Sequence, residues 1–164
     1  MRVAMLGPFR LHSADGKQGA QAHRHLAEAE EAASDMSRTG PAQVVTAMAA
    51  APVLLDENEH EATRERLVLA LDSGMGVREM PAVAAIAEIA ARWRLRIGDP
   101  LGAERMLGLA VRLRGVLDEG DPDLRGVLAE LAAHPDPETR RKAFDAGAAL
   151  SREEAFDELR ATLA

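Results

Sequence analysis

The last third of the chain, residues 121–164, is divided by helix-starting signals into three short segments. Asp121, Asp136 and Ser151 each stand where a side-chain oxygen can accept a hydrogen bond from the first amides of a helix. Each segment carries an apolar stripe that one short helix cannot bury alone. The pattern therefore predicts short helices that bury their apolar faces against neighbours, with a solenoid-like C-terminal end.

The composition favours an all-α fold for the whole chain. Strong helix formers (Ala, Leu, Glu and Arg) are abundant, whereas aromatic residues make up only 2% of the 164 residues. Sheet proteins use more aromatic and β-branched side chains. We predict one compact helical domain of about seven to eight helices over residues 20–164, preceded by an arm or short strand over residues 1–19.

Helix boundaries before the repeat-like region rest on proline, glycine and capping residues. Pro52 is expected to end one helix, and Asp56 is expected to cap the next. Residues 74–76, Gly-Met-Gly, are the clearest candidate hinge. The predicted helices in this part of the chain cover residues 20–38, 41–51 and 81–97, with another between the Asp56 cap and the hinge.

Residues 101–117 form the most apolar helical segment, which predicts a central helix contacted on several sides. Gly108 and Gly115 lie within it, and each glycine costs a helix about 1 kcal/mol relative to alanine. Both are therefore expected to mark the close approach of a neighbouring helix. Phe144 and Phe156, the only aromatic residues of the C-terminal region, are expected to face the seam with this central helix.

Charge is unevenly distributed along the chain, whose formal net charge is −7. Residues 21–72 and residues 118–164 are both acidic, whereas residues 92–114 hold six basic and two acidic residues. One interpretation is a patch that binds phosphate, nucleic acid or an acidic partner. The alternative, which we favour, is that these arginines pair with acidic residues of the flanks, either within the chain or across a dimer. The six candidates are Arg92, Arg94, Arg96, Arg105, Arg112 and Arg114.

Two further residue patterns have a structural and a functional interpretation. Trp93 could stack on a nucleic-acid base, but its place on an apolar stripe favours the core. Glu57 and His60 have the spacing of a carboxylate–histidine pair in di-iron helical bundles, but such bundles need two pairs. An exposed, charged helix start is the favoured interpretation of Glu57 and His60.

The sequence holds no motif that indicates catalysis or a cofactor. It has no cysteine and no tyrosine, and no glycine-rich phosphate loop follows a predicted strand. We predict a non-enzymatic helical module without a cofactor that binds another protein, with self-association as a second option. The alternative is a nucleic-acid-associated regulator that uses the arginines of residues 92–114. With no membrane span and no secretory signal in the sequence, we expect a cytoplasmic protein.

Two resemblances to known families accompany these predictions. Residues 128–163, with Leu128, Leu131 and the string Pro135 to Glu138, resemble leucine-rich repeat variants and HEAT-like helical repeats, which implies a scaffold or binding surface. Residues 1–16 resemble the opening of a bacterial antibiotic-regulator family, although the winged-helix segment that should follow is missing.

Overall fold

The computed structural model describes Arg24, residues 41–74 and residues 80–164. The predicted arm, the first predicted helix and most of the predicted hinge lie outside these described residues. The described residues form seven helices and no strand, so the all-α prediction is confirmed. The helices are α1 (Pro41–Asp56), α2 (His60–Gly74), α3 (Met80–Arg96), α4 (Pro100–Arg114), α5 (Pro122–Ala133), α6 (Pro137–Ala148) and α7 (Arg152–Leu163).

Helix α1 continues through Pro52, so the prediction that this proline ends the helix is wrong. Proline removes one backbone donor and crowds the preceding turn, at a cost of about 3 kcal/mol in a helix interior. The residues on either side are held in the core, since Ala51 and Leu55 are fully buried. Burial of these side chains offsets the local cost of the proline.

Asp56 closes α1 instead of capping α2, which corrects the second boundary prediction. The chain reverses direction through Asn58, whose φ of 63° lies in the left-handed region that asparagine tolerates. The Glu59 carbonyl accepts both the Thr63 amide and the Thr63 hydroxyl, at 2.9 and 2.8 Å. The helix therefore starts with the backbone hydrogen bond from Thr63 to Glu59, and the threonine hydroxyl adds a second donor to the same carbonyl oxygen.

The capping signals of the C-terminal region are confirmed. The carboxylate of Asp121 accepts the Asp123 amide, and that of Asp136 accepts the Thr139 amide. Ser151 forms a complete capping box with Glu154. Local hydrogen bonds of this kind depend only on nearby sequence, which is why the helix starts could be predicted.

Helix α4 is the central helix, as its apolar composition predicted. It packs against α3, α6 and α7, and its side chains Leu107, Leu109 and Leu113 are almost fully buried. Trp93 of α3 is 7% exposed and donates from its indole nitrogen to the His60 carbonyl oxygen at 3.1 Å. The prediction that Trp93 belongs to the core is confirmed.

Helices α4 and α6 cross backbone to backbone at Gly108 and Gly147. A Cβ on Gly108 would overlap the Phe144 carbonyl oxygen and lie 2.9 Å from the Ala148 amide nitrogen. A Cβ on Gly147 would overlap the Arg105 carbonyl oxygen. The predicted close approach at Gly108 is confirmed, and Gly147 is the residue that makes it possible from the other side.

Gly115 has a different role from the one predicted. It is the C-cap of α4, with a φ of 96°, and nothing lies within 4 Å of the place where its Cβ would be. Glycine is favoured here because the left-handed conformation strains residues with a side chain. The helix therefore ends before Val116, which is 66% exposed.

Helix α7 is held by arginines of two other helices. Arg64 of α2 donates to the backbone oxygens of Leu163 and Ala164, at 2.5 and 3.1 Å. Arg94 of α3 donates to the Thr162 carbonyl oxygen at 3.4 Å. These contacts satisfy carbonyl groups that have no partner within the helix, and they place positive charge at its negative end.

The three helices of residues 121–164 reach the core from different sides. Helix α5 packs on α3, α6 packs on α4, and α7 packs on both α4 and α2. Each is thus joined more extensively to earlier helices than to its neighbour in sequence, and the repeat resemblance stays a prediction. Phe144 and Phe156 pack against the core but are only partly buried.

Candidate functional site

Four of the six candidate arginines form ion pairs within the chain. Arg92 contacts Asp56 at 2.6 Å and Asp123 at 3.4 Å, so it ties α3 to α1 and α5. Arg94 contacts Asp99 at 3.0 Å and lies 5.2 Å from the centre of the Trp93 ring. These guanidinium groups already have partners, so an external anion would have to displace them.

Arg105 and Arg114 are also engaged. Arg105 donates through two nitrogens to the carboxylate of Glu158 on α7, one of them at 2.7 Å. Arg114 donates to Glu88 of α3, and burial raises the pKa of that carboxyl in spite of the arginine beside it. Arg92 and Arg105 thus pair with the acidic flanks, as favoured from the charge pattern. Arg94 and Arg114 are also paired within the chain, but their partners Asp99 and Glu88 lie outside those flanks.

Arg96 and Arg112 remain without an ion-pair partner among residues 41–74 and 80–164. Arg96 is the last residue of α3, and Arg112 lies in the last turn of α4. Both side chains are exposed. The structure does not gather the six arginines into one basic face, because the four paired ones point toward carboxylates on different elements.

An open groove adjoins Arg112 where α4, α6 and α7 meet, and it has a volume of about 570 Å³. A second exposed arginine, the first residue of α7, borders the same groove and likewise has no ion-pair partner among the described residues. Val111 and Ala148 contribute apolar atoms to the lining of the same groove. The lining residues are Val111, Arg112, Gly115, Ala148 and Arg152.

The groove exists because α4 is longer than α6 beyond their crossing point. The successive contacts occur in the same order along both helices: Glu104 pairs with Arg140, and further along Gly108 meets Gly147. The two helices therefore run in the same direction. Helix α6 ends at Ala148, immediately after the crossing, whereas α4 continues for another turn. That last turn of α4 is left uncovered on one side.

The first turn of α7 provides the nearest negative charge. The Glu154 carboxylate accepts the Ser151 amide at 2.8 Å, and this capping hydrogen bond lowers the pKa of Glu154, with a smaller contribution from Arg112. The Ser151 hydroxyl accepts the Glu154 amide at 3.1 Å. Arg112 is near enough to lower the pKa of Glu154, but no ion pair joins the two side chains among the described residues.

Sequence reasoning identified Arg112 but not Arg152. Arg112 belongs to the basic stretch of residues 92–114, whereas Arg152 lies in an acidic stretch and follows a capping serine. Their proximity depends on the path of the chain through α5 and α6. The nearest sequence signal, the capping box at Ser151, fixes where α7 begins but not what its first residue faces.

Glu57 and His60 lie at the turn between α1 and α2. The carbonyl oxygen of His60 accepts the Trp93 indole, and its Nδ1 is buried without a hydrogen-bond partner among the described residues. Within residues 41–74 and 80–164, no group of three or more His, Asp or Glu residues lies close enough together to hold a metal ion.

No protein-family model, curated protein or solved structure matches this chain. Among the described helices, none combines the length and the apolar character needed to cross a membrane.

Proposed function

We propose that this protein is a non-enzymatic helical module that binds another protein, and that the partner contacts the groove between α4, α6 and α7. The observation that supports the proposal most directly is that one groove is lined by Arg112 and Arg152, neither of which has an ion-pair partner among the described residues, together with Val111 and Ala148. Arginine is enriched at protein interfaces because its planar group pairs with carboxylates and its stem covers apolar surface.

The apolar part of the surface extends beyond the groove. Val116 follows the C-cap of α4 and is 66% exposed, which leaves most of its side chain in water. An apolar centre bordered by charged groups is the usual arrangement of a protein interface. The groove is open instead of enclosed, which suits a segment of protein chain better than a small molecule.

Site-specific photo-crosslinking tests the proposal. A photoreactive amino acid replaces Val116 beside the groove or, as a matched control, Val45 on α1, which is 67% exposed. In native lysate we expect one dominant protein to be cross-linked from position 116 but not from position 45. That cross-link should disappear when Arg112 and Arg152 are both changed to Glu. Equal capture from both positions, or capture insensitive to the arginine changes, would contradict the proposal.

A nucleic-acid-associated role is the alternative function. It depends on arginines that are free to contact phosphates, and four of the six candidates are engaged in ion pairs. Binding driven by phosphate contacts must weaken steeply with salt. An oligonucleotide titration at rising salt therefore tests this alternative: steeply salt-dependent binding that requires Arg96 and Arg112 would favour it over protein binding. We place either activity in the cytoplasm, as the sequence led us to expect.

A further inference from the structure

We infer that the groove recognises an acidic stretch of polypeptide, in which two carboxylates pair with Arg112 and Arg152 and an apolar side chain contacts Val111 and Ala148. This inference rests on the proposed function and adds the chemistry of the partner. Charge complementarity is the first argument, because both guanidinium groups are exposed and neither has an ion-pair partner among the described residues.

The contrast with the neighbouring arginines strengthens this argument. Arg105, two turns before Arg112 on α4, is held by the Glu158 carboxylate of α7 through two hydrogen bonds. Arg112 lies near the first turn of the same helix, where the Glu154 carboxylate accepts the Ser151 amide, and no ion pair joins the two side chains in the described part of the chain. A carboxylate from another chain would give Arg112 the kind of contact that Arg105 already has.

The start of α7 disfavours a phosphate as the preferred ligand. Helix N-termini bind phosphate through free backbone amides. Here two of the amides are already engaged, since the Glu154 amide donates to the Ser151 hydroxyl and the Ser151 amide donates to the Glu154 carboxylate. We therefore assign recognition to the side chains of Arg112 and Arg152, with Val111 and Ala148 as the apolar part of the lining.

Nucleic acid fits the groove less well than an acidic peptide. Proteins that bind single strands stack bases on aromatic rings, and the five groove residues include none. Trp93, the only tryptophan, is 7% exposed.

A short labelled peptide provides the test. The probe is an acetylated, amidated peptide of sequence Glu-Glu-Leu-Glu-Glu, and its neutral counterpart is Gln-Gln-Leu-Gln-Gln. Binding to the full chain is measured by fluorescence anisotropy at about 50 mM and 300 mM salt, a range over which screening of exposed charges increases strongly. We expect the acidic probe to bind, its affinity to fall with salt, and the neutral probe to bind at least about tenfold more weakly.

Two double variants separate the groove from the overall charge. Arg112→Gln with Arg152→Gln should weaken binding of the acidic probe at least about tenfold. Arg96→Gln with Arg141→Gln makes the same change in net charge at two other exposed arginines and should leave the affinity within about twofold. Circular dichroism confirms that both variants keep the helical fold.

Three results would overturn the inference: no binding of the acidic probe at low salt, equal loss in both double variants, or groove-dependent binding of an oligonucleotide or phosphoserine peptide that exceeds binding of the acidic probe. Failure of the proposed function is distinguishable from these. If groove-dependent cross-links to a protein persist while the acidic probe fails, the protein-binding function stands and the acidic chemistry is wrong. If the acidic probe binds but the cross-linked protein is unaffected by the changes at Arg112 and Arg152, the function proposed above is wrong.

Discussion

Helices α4 and α6 are in contact over one part of their length and separated over another. At Gly108 and Gly147 the two backbones meet directly, whereas one turn later, at Val111, the same α4 borders an open groove. We call these regions the closed crossing and the open end. Backbone contact leaves no room for a ligand, and an uncovered turn adds little to the core. The comparison predicts that the closed crossing contributes more to the stability of the fold than the open end, where we propose that the partner binds.

Side-chain truncation on α4 gives the largest expected difference between the two regions. Leu107 is fully buried beside the closed crossing, so Leu107→Ala should lower the unfolding free energy by about 3 kcal/mol. Val111 lines the open groove and is partly buried, so Val111→Ala should cost less than about 1 kcal/mol. Urea denaturation followed by circular dichroism measures both. Similar losses of unfolding free energy in the two variants would show that the closed crossing and the open end do not differ in their contribution to stability.

The two phenylalanines of the C-terminal helices should give intermediate effects. Phe144 and Phe156 pack against the core but keep part of their rings exposed, so truncation of either to Ala should cost about 2 kcal/mol. A fully buried ring would cost about 3–5 kcal/mol. The same urea titration distinguishes these values. A wild-type midpoint for either variant would show that its ring does not contribute to the core.

Local features of the fold were predictable, whereas features that join distant residues were predictable only in part. The cap at Ser151 depends on a residue three positions away, and it was predicted correctly. Gly108 was recognised as a point of close approach because a glycine inside a helix needs a reason. Nothing in the local sequence pairs its counterpart Gly147 with Gly108. The prediction for Gly115 was wrong because a helix C-cap and a helix contact can both favour glycine.

The candidate site shows the same limit. The charge pattern favoured pairing of the arginines of residues 92–114 with the acidic flanks, and Arg92 and Arg105 have such partners. The sequence did not show which arginines would pair in this way, because the partners Asp56 and Glu158 lie far away in the chain. The prediction that Pro52 ends its helix was wrong for a related reason, because local helix propensity does not include the burial of Leu55.

Acid titration should affect the two regions in opposite directions. Burial raises the pKa of Glu104 near the closed crossing, although Arg140 acts against the shift. The folded state therefore takes up this proton at higher pH than the unfolded state. The resulting stabilisation is fully present below the pKa of Glu104 in the unfolded chain, about 4.3, and is lost as the pH rises through its pKa in the folded protein. The free-energy advantage of wild type over Glu104→Gln should accordingly grow as the pH falls from 7 toward about 4.3.

Glu154 at the open end should show the opposite dependence. The hydrogen bond with Ser151 lowers its pKa, so its contribution is present above about pH 4.3 and is lost as the pH falls through the folded value. The advantage of wild type over Glu154→Gln should shrink below that pH. Urea titrations of wild type and both variants between about pH 3 and 7 measure how each difference in unfolding free energy changes with pH. If both differences changed with pH in the same direction, the causes assigned to the two pKa shifts would be wrong.

The smallest effect is expected for the arginines of the groove. Arg112→Gln and Arg152→Gln should each change the unfolding free energy by less than about 0.5 kcal/mol, because neither side chain has an ion-pair partner among the described residues. Thermal and urea unfolding of the single variants provide the values. A loss above about 1 kcal/mol would mean that the arginine stabilises the fold, which weakens its assignment to binding.

The closed crossing is the central feature of this account, and one substitution made in two places tests it most directly. Gly126 lies inside α5 with nothing within 4 Å of the place where its Cβ would be, so Gly126→Ala should raise the unfolding free energy by about 0.5–1 kcal/mol. Gly108→Ala has the same favourable helix term, but its methyl group would overlap the α6 backbone, so it should lose about 2 kcal/mol or more. The measurement is the difference in unfolding free energy between these two variants under identical conditions. A difference of about 3 kcal/mol in favour of Gly126→Ala is the predicted result; equal stabilisation by both would show that α4 and α6 do not meet at Gly108.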